Sequence, residues 1–179
     1  MAADICFTLD KENRIIKTNA AWELFAHENG APELTGKRIH GKPLFSFITD
    51  DVTRMHVRLM LGYVRTMKKT IVREYRCDSD RLKRFMQMKL TLLENGQIEL
   101  AHTTLRVEPL TPALAFHYKP DSPAAVLRCS NCNSLRVKEC WQEPESAQNG
   151  PHLTQTSIPT VYTICDSCQD QMELYVSDK

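Results

Sequence analysis

Two Cys-x-x-Cys pairs, in "RCSNCN" at 128–133 and "TICDSCQD" at 163–170, constrain this chain more than any other feature. A two-residue gap lets both sulfurs of a pair face one cation while backbone N–H groups bond to the thiolates. Two such pairs complete the tetrahedral set that Zn²⁺ accepts. Cys129, Cys132, Cys165 and Cys168 are therefore candidate ligands of a structural zinc, and the chain between the pairs must fold back to close the site. Redox chemistry or another metal is the competing reading. A thioredoxin-like pair, however, ends a strand in a βαβ unit and exposes one thiol of low pKa, and no such unit is legible here.

The surroundings shape the same expectation. Asn133 tolerates the left-handed turn that a metal knuckle needs. "CDSCQDQMELYV" lacks Gly and Pro, so the second pair is expected on the first turn of a closing helix, giving a small treble-clef-like zinc-binding module. Residues 127–179 are few for a core of their own, and metal would supply the missing folding energy. Cys140, beside Trp141, reads as a half-buried spare thiol. From Leu127 onward four Lys/Arg face seven Asp/Glu, a net of −3 that leaves +4 over residues 1–126. An acidic segment offers little to phosphates, so nucleic acid is disfavoured as a partner, and a zinc-dependent nucleic-acid regulator is the least favoured class.

Upstream, "ICFTL" (5–9) alternates apolar and polar residues, "DKEN" supplies a turn, and "RIIKT" (14–18) closes a hairpin. Asn19 is placed to cap a helix over "AAWELFAHENG", with Trp22, Phe25 and Ala26 on one face. The longest periodic stretch, 50–69, reads as an amphipathic helix whose apolar face carries Val52, Met55, His56, Leu59, Met60, Tyr63, Val64 and Met67. Three strands follow, at 70–77, 84–93 and 97–107, with Met86, Met88, Leu90 and Leu92 sharing a face. Strand pair, helices, then three strands in hairpin succession predict an α+β fold, an antiparallel five-stranded sheet with helices on one face. Prolines 109, 112, 120 and 123 mark a linker. The expected organisation is a sensor-sized domain over 1–108, a Pro-rich linker over 109–126 and the four-cysteine module over 127–179.

Over residues 4–107 this plan resembles the PAS sensor fold. "LDKENRIIKTNAAWELFA" is similar to the PAS opening, and "YRCDSD" followed by "RFMQMKL" resembles a subset of bacterial PAS signalling proteins. The closing "RCSNCNSLRV…W…TICDSC" is similar to a zinc-ribbon-like segment attached to some of them, with Thr163 where Gly is usual. The resemblance implies a cavity between helices and sheet through which such domains commonly sense a small molecule, redox state or light, holding haem, flavin, an organic acid or nothing, together with the homodimer that PAS domains commonly form and a signal passed to a protein effector.

His56 lies on the apolar helix face and His102 is in phase with Ile98 and Leu100, so both are candidates to line that cavity. A core histidine is the bland reading of each, and haem ligation by His56 is the minor one. Nine basic residues between Arg65 and Lys89 face three acids. Such a run reads as a solvated sheet edge, or as a guide for an acidic partner or for the acidic cysteine segment itself. No nucleophile triad, phosphate-binding Gly loop or catalytic metal cluster is legible, which points away from an enzyme. The N-terminus has no signal-peptide pattern and no window approaches a membrane span, so a cytoplasmic location is expected. The functional expectation is a non-catalytic signalling sensor or adaptor with a structural zinc; the alternative is a thiol switch that releases zinc on oxidation.

Overall fold

Ile5, Phe7 and Leu9 alternate with Cys6 and Thr8, and this period of two forms β1 (Ile5–Leu9). The chain turns where Asp10 Oδ1 accepts from the N–H groups of Glu12 and Arg14 at 3.0 and 2.7 Å, then returns as β2 (Ile15–Thr18). Asn19 caps α1 (Ala20–Glu28), its Oδ1 accepting from Trp22 N–H at 2.9 Å and from Cys6 N–H at 3.1 Å. The computed structural model describes residues 4–147 and 157–177, so residues 1–3, 148–156 and 178–179 of the expected domains lie outside the described residues.

Short 3₁₀ turns at Pro32–Leu34 and Leu44–Phe47 flank α2 (Gly36–Ile39). The long helix α3 (Asp51–Met67) starts at Asp50, whose Oδ1 accepts from Thr53 N–H at 2.7 Å, and stops at Lys68, which adopts the left-handed conformation with φ 54°. β3 (Ile71–Arg76), β4 (Leu82–Leu92) and β5 (Ile98–Pro109) complete a five-stranded antiparallel sheet in the order β2-β1-β5-β4-β3. The helices feed a single apolar cluster against this sheet. Ile39, Met60, Leu61 and Val64 from the helices meet Phe7, Leu9, Leu90, Ile98 and Leu100 from the strands, with Trp22 packed against them.

The face of α3 differs from the expectation. Met60, Leu61 and Val64 are buried and Val57 and Tyr63 pack beside them, whereas Met55, Leu59 and Met67 are 56, 63 and 50% exposed. Apolar residues lie around most of this helix, so periodicity alone could not centre the stripe; contact with the sheet did.

A second five-stranded sheet follows, built from β6 (Ala115–Tyr118), β7 (Val126–Cys129), β8 (Leu135–Val137), β9 (Cys140–Gln142) and β10 (Ser157–Thr163) in the order β6-β10-β7-β8-β9. β10 pairs in parallel with both β6 and β7, and the β7-β8-β9 run is antiparallel. The short helix α4 (Pro144–Ala147) precedes β10 and α5 (Asp166–Ser177) follows it. Within the stretch read as a linker, residues 115–118 form an edge strand, a position that tolerates the prolines on either side because an edge needs fewer N–H donors.

The chain forms two compact units, Met1–Glu74 with Met86–Leu105, and Tyr75–Phe85 with Arg106–Lys179. This division differs from the three consecutive stretches expected, because the β3–β4 hairpin tip belongs to the second unit. That unit has an apolar cluster of its own in Leu110, Leu114, Leu135, Ala147 and Ile158. Two of the five come from upstream of residue 127, which is how so short a cysteine segment acquires a core. No helix among the described residues is long and apolar enough to cross a membrane.

Candidate metal centre

β7 ends at Cys129, and the turn after it is closed by Cys129 N–H donating to Ser134 O at 2.8 Å and Asn133 N–H donating to Cys129 O at 3.0 Å. Asn133 takes the left-handed conformation expected of it, with φ 62°. The parallel pairing of β7 with β10 sets Thr163 opposite Cys129, and Ser130 N–H donates to Thr163 O at 2.8 Å. That register carries Cys165, just past β10, and Cys168, on the first turn of α5, back to the first pair.

The four Sγ atoms all lie within 4.8 Å of one another. Cys132 Sγ and Cys165 Sγ, from opposite pairs, are 3.7 Å apart. Four sulfurs placed about 2.3 Å from a common centre form a tetrahedron with edges of about 3.8 Å, so the donor set fits a metal ion held by four thiolates. Cys129, Cys165 and Cys168 are 0, 4 and 4% exposed, with Trp141 and Ile164 packed around them.

Hydrogen bonds support the sulfurs. Cys165 N–H donates to Cys129 Sγ at 3.4 Å, Asn131 Nδ2 donates to Cys168 Sγ at 3.3 Å, and Ser134 Oγ is 3.2 Å from Cys132 Sγ. Within the cluster, bonds from the Cys132 and Cys168 thiols hold the Cys129 pKa well below the usual thiol range. Burial pushes the Cys165 thiol up to about 11, and Cys168 is raised because its proton is held on Cys129 and Cys132. A metal ion therefore competes with protons for these sulfurs. Cys140, expected to be half-buried, is exposed: β9 is an edge strand, and its neighbour Trp141 takes the inward side.

The basic run is divided: Lys68, Lys69, Arg81 and Lys89 are exposed, as a solvated edge requires, while Arg73 and Arg76 are buried. Arg76 is bound to Asp78 through Nε–Oδ1 at 2.9 Å and Nη2–Oδ2 at 2.7 Å, with side chains 5 and 1% exposed, and its Nη1 reaches Glu143 at 2.9 Å. Lys83 pairs with Glu145 at 2.6 Å and Glu108 at 3.5 Å. Basic residues of the hairpin thus meet acids of the cysteine segment, one of the roles the charge pattern allowed. The Arg76 and Arg106 guanidiniums both lie over the ring of Phe85, at 4.9 and 3.7 Å from its centroid. Charge counting signalled this cluster but not its members.

In the first unit, His56 on α3 meets the buried Arg73 of β3, whose Nη1 contacts His56 Nε2. Burial first, and Arg73 second, lower the His56 pKa to about 4, so the ring is a neutral acceptor with its Nε2 engaged. His102 stacks on Phe7, with ring centroids 5.7 Å apart and planes 12° from parallel, and burial lowers its pKa to about 4. Both histidines thus lie in the first unit, His56 against Arg73 and His102 against Phe7. An open groove of about 500 Å³ lies elsewhere, in the second unit, along Val126, Leu127 and Val137.

No protein-family model and no curated protein matches the chain. Among solved structures, the PAS domain of the RpfR quorum-sensing receptor of Cronobacter turicensis, in complexes with C12:0 and with BDSF, is similar at 16% identity. It covers 59% of this chain and 97% of that domain with a TM-score of 0.44 in each complex. The PAS domain of nitrogen regulation protein NR(II) from Vibrio parahaemolyticus is similar at 16% identity, over 57% of this chain and 89% of that one, with a TM-score of 0.37.

Proposed function

We propose that this chain is a non-catalytic signalling sensor or adaptor in which a PAS-like unit is joined to a treble-clef-like structural zinc module held by Cys129, Cys132, Cys165 and Cys168. The observation that carries the zinc assignment is the convergence of four sulfurs within 4.8 Å. All four tetrahedral positions are then filled by protein, which leaves no open position for a substrate and favours a structural role over a catalytic one. The sensor reading draws on the order of the first sheet, its helix-covered face, and the sequence resemblance over residues 4–107. His56 and His102 are the residues to examine for a small-molecule ligand; the engaged Nε2 of His56 weighs against haem. A protein effector and a homodimer remain the partners this reading calls for, in the cytoplasm.

The test is native mass spectrometry of the purified, reduced chain. One zinc per chain, lost in Cys165→Ser, is the expected result, and a retained organic adduct would identify what the first unit senses. Reduced protein that carries no metal would overturn the zinc assignment.

One observation favours a thiol switch as the second reading. Cys132 is half-buried, and its Sγ lies 3.7 Å from that of Cys165 in the opposite pair. Peroxide would take two electrons from these thiolates to form a disulfide, its O–O bond would be reduced to water, and the metal would leave. If Cys165→Ser unfolds the second unit, the metal is structural. If the fold survives and only the peroxide response disappears, the switch reading prevails.

A further inference from the structure

Resting on the metal-site reading above, we infer that the metal centre is built from three separated stretches of chain: the β3–β4 hairpin tip Tyr75–Phe85 is held in place by metal occupancy and in turn sets the affinity for metal. The link runs through Asn131, the residue between Cys129 and Cys132 that is only 8% exposed. Its carbonyl accepts from the backbone N–H of Arg76 at 2.7 Å, and its side-chain Nδ2 donates to Cys168 Sγ at 3.3 Å. One residue thus joins the hairpin backbone to a ligand sulfur of the other pair.

A second link runs through Asp78. Its carboxylate accepts two bonds from Arg76, a longer one from Arg84 N–H at 3.3 Å, and lies 3.7 Å from Arg128 Nη2. Arg128 immediately precedes Cys129 and spreads its guanidinium over Phe116, 4.0 Å from the ring centroid. The tip's own backbone is also committed to the second unit, since Arg81 O accepts from Leu110 N–H at 2.8 Å and Asp80 O from Leu114 N–H at 2.9 Å. A hairpin tip standing alone would leave these carbonyls to water and Arg76 and Asp78 to solvent.

The physical consequence is reciprocal. Metal binding to a small thiolate site supplies folding free energy to whatever the site organises. Here that includes the Ser130–Ser134 turn, and through Asn131 the end of β3. Whatever loosens the hairpin lowers metal affinity by the same factor by which metal tightens the hairpin.

The experiment is hydrogen exchange of the full chain, zinc-loaded and chelator-stripped, with native spectra confirming the metal content of each sample. Amides of residues 76–84 are expected to lose protection on stripping, together with 129–135, while 5–9 and 98–102 keep theirs. In chelator competition, Asp78→Asn, which loosens the hairpin, is expected to weaken zinc binding about 5-fold or more, the lower end for coupling between linked sites, and the exposed Glu33→Gln to leave it unchanged. Unaltered protection at 76–84 in verified zinc-free protein, or parental zinc affinity in Asp78→Asn, overturns the inference while the zinc site stands. Reduced parental protein that binds no zinc overturns the site itself and this inference with it.

Discussion

Arg76 and Asp78, two residues apart at the start of the β3–β4 turn, form a two-point ion pair with N···O distances of 2.9 and 2.7 Å in which both side chains are at most 5% exposed. Removing one partner of such a pair leaves a desolvated charge behind, at a cost of about 3 kcal/mol or more, whereas replacing both by apolar residues of similar size is far milder. Asp78→Ala should therefore destabilise the protein by about 3 kcal/mol. The double replacement Arg76→Met with Asp78→Leu should recover much of that loss in urea denaturation; an additive double mutant would contradict the pairing.

Gly36 and Gly62 make a matched test of local space. A Cβ on Gly36 would collide with Thr18 Oγ1 and lie 2.7 Å from Glu23 Oε1, the carboxylate oxygen that accepts from Gly36 N–H at 2.9 Å. Gly36→Ala should cost about 1–3 kcal/mol through overpacking and loss of this bond. Gly62, inside α3, has nothing within 4 Å of an added Cβ, so Gly62→Ala should stabilise by about 1 kcal/mol from helix propensity. Equal effects in thermal melts would refute the assigned packing.

The corrected face of α3 predicts opposite outcomes for two leucines. Leu61 is 1% exposed and Leu59 63% exposed. Leu61→Ala should destabilise by about 2–5 kcal/mol, as large-to-small changes in a core do, and Leu59→Ala should stay within about 0.5 kcal/mol. Denaturant midpoints of the two variants decide between this face and the one expected from periodicity.

His56 and His102 predict an acid sensitivity of the first unit. Both pKa values fall from 6.5 to about 4 on folding, mainly through burial. Between those values the unfolded chain binds more protons than the native one, so stability rises with pH across the window. The contribution is complete above pH 6.5 and is lost as pH falls toward 4. With Trp141→Phe present, so that Trp22 reports the first unit, unfolding between pH 7.5 and 4.5 should show this slope, and the added pair His56→Gln and His102→Gln should flatten it.

Among the thiols, Cys129 and Cys140 should behave differently. Cys129→Ser should abolish metal retention and loosen the second unit, because the buried cluster loses a ligand. Cys140→Ser, on an exposed edge, should leave stability within about 0.5 kcal/mol and metal content unchanged. A metal-free Cys140 variant would show that the ligand set has been misassigned.

Local chemistry determined much of what the chain alone made legible. Asn19 and Asp50 cap helices where their side chains reach the next free N–H groups, Asn133 turns left-handed, and the alternation in β1 and β4 identifies their inward faces. The four cysteines were legible for the same reason, since ligand spacing inside each pair is a local property. What the tertiary structure alone decided depends on residues distant in sequence. The pairing of β10 with β6 and β7 leaves no periodic trace in segments of four to seven residues. The choice of Leu61 over Leu59 was made by the opposing sheet. Above all, the capture of the Arg76–Asp78 hairpin by Glu143 and Asn131 depends on partners more than fifty residues away. A run of basic residues has the same composition whether it ends in water or in buried ion pairs, and only desolvation in the folded chain distinguishes the two.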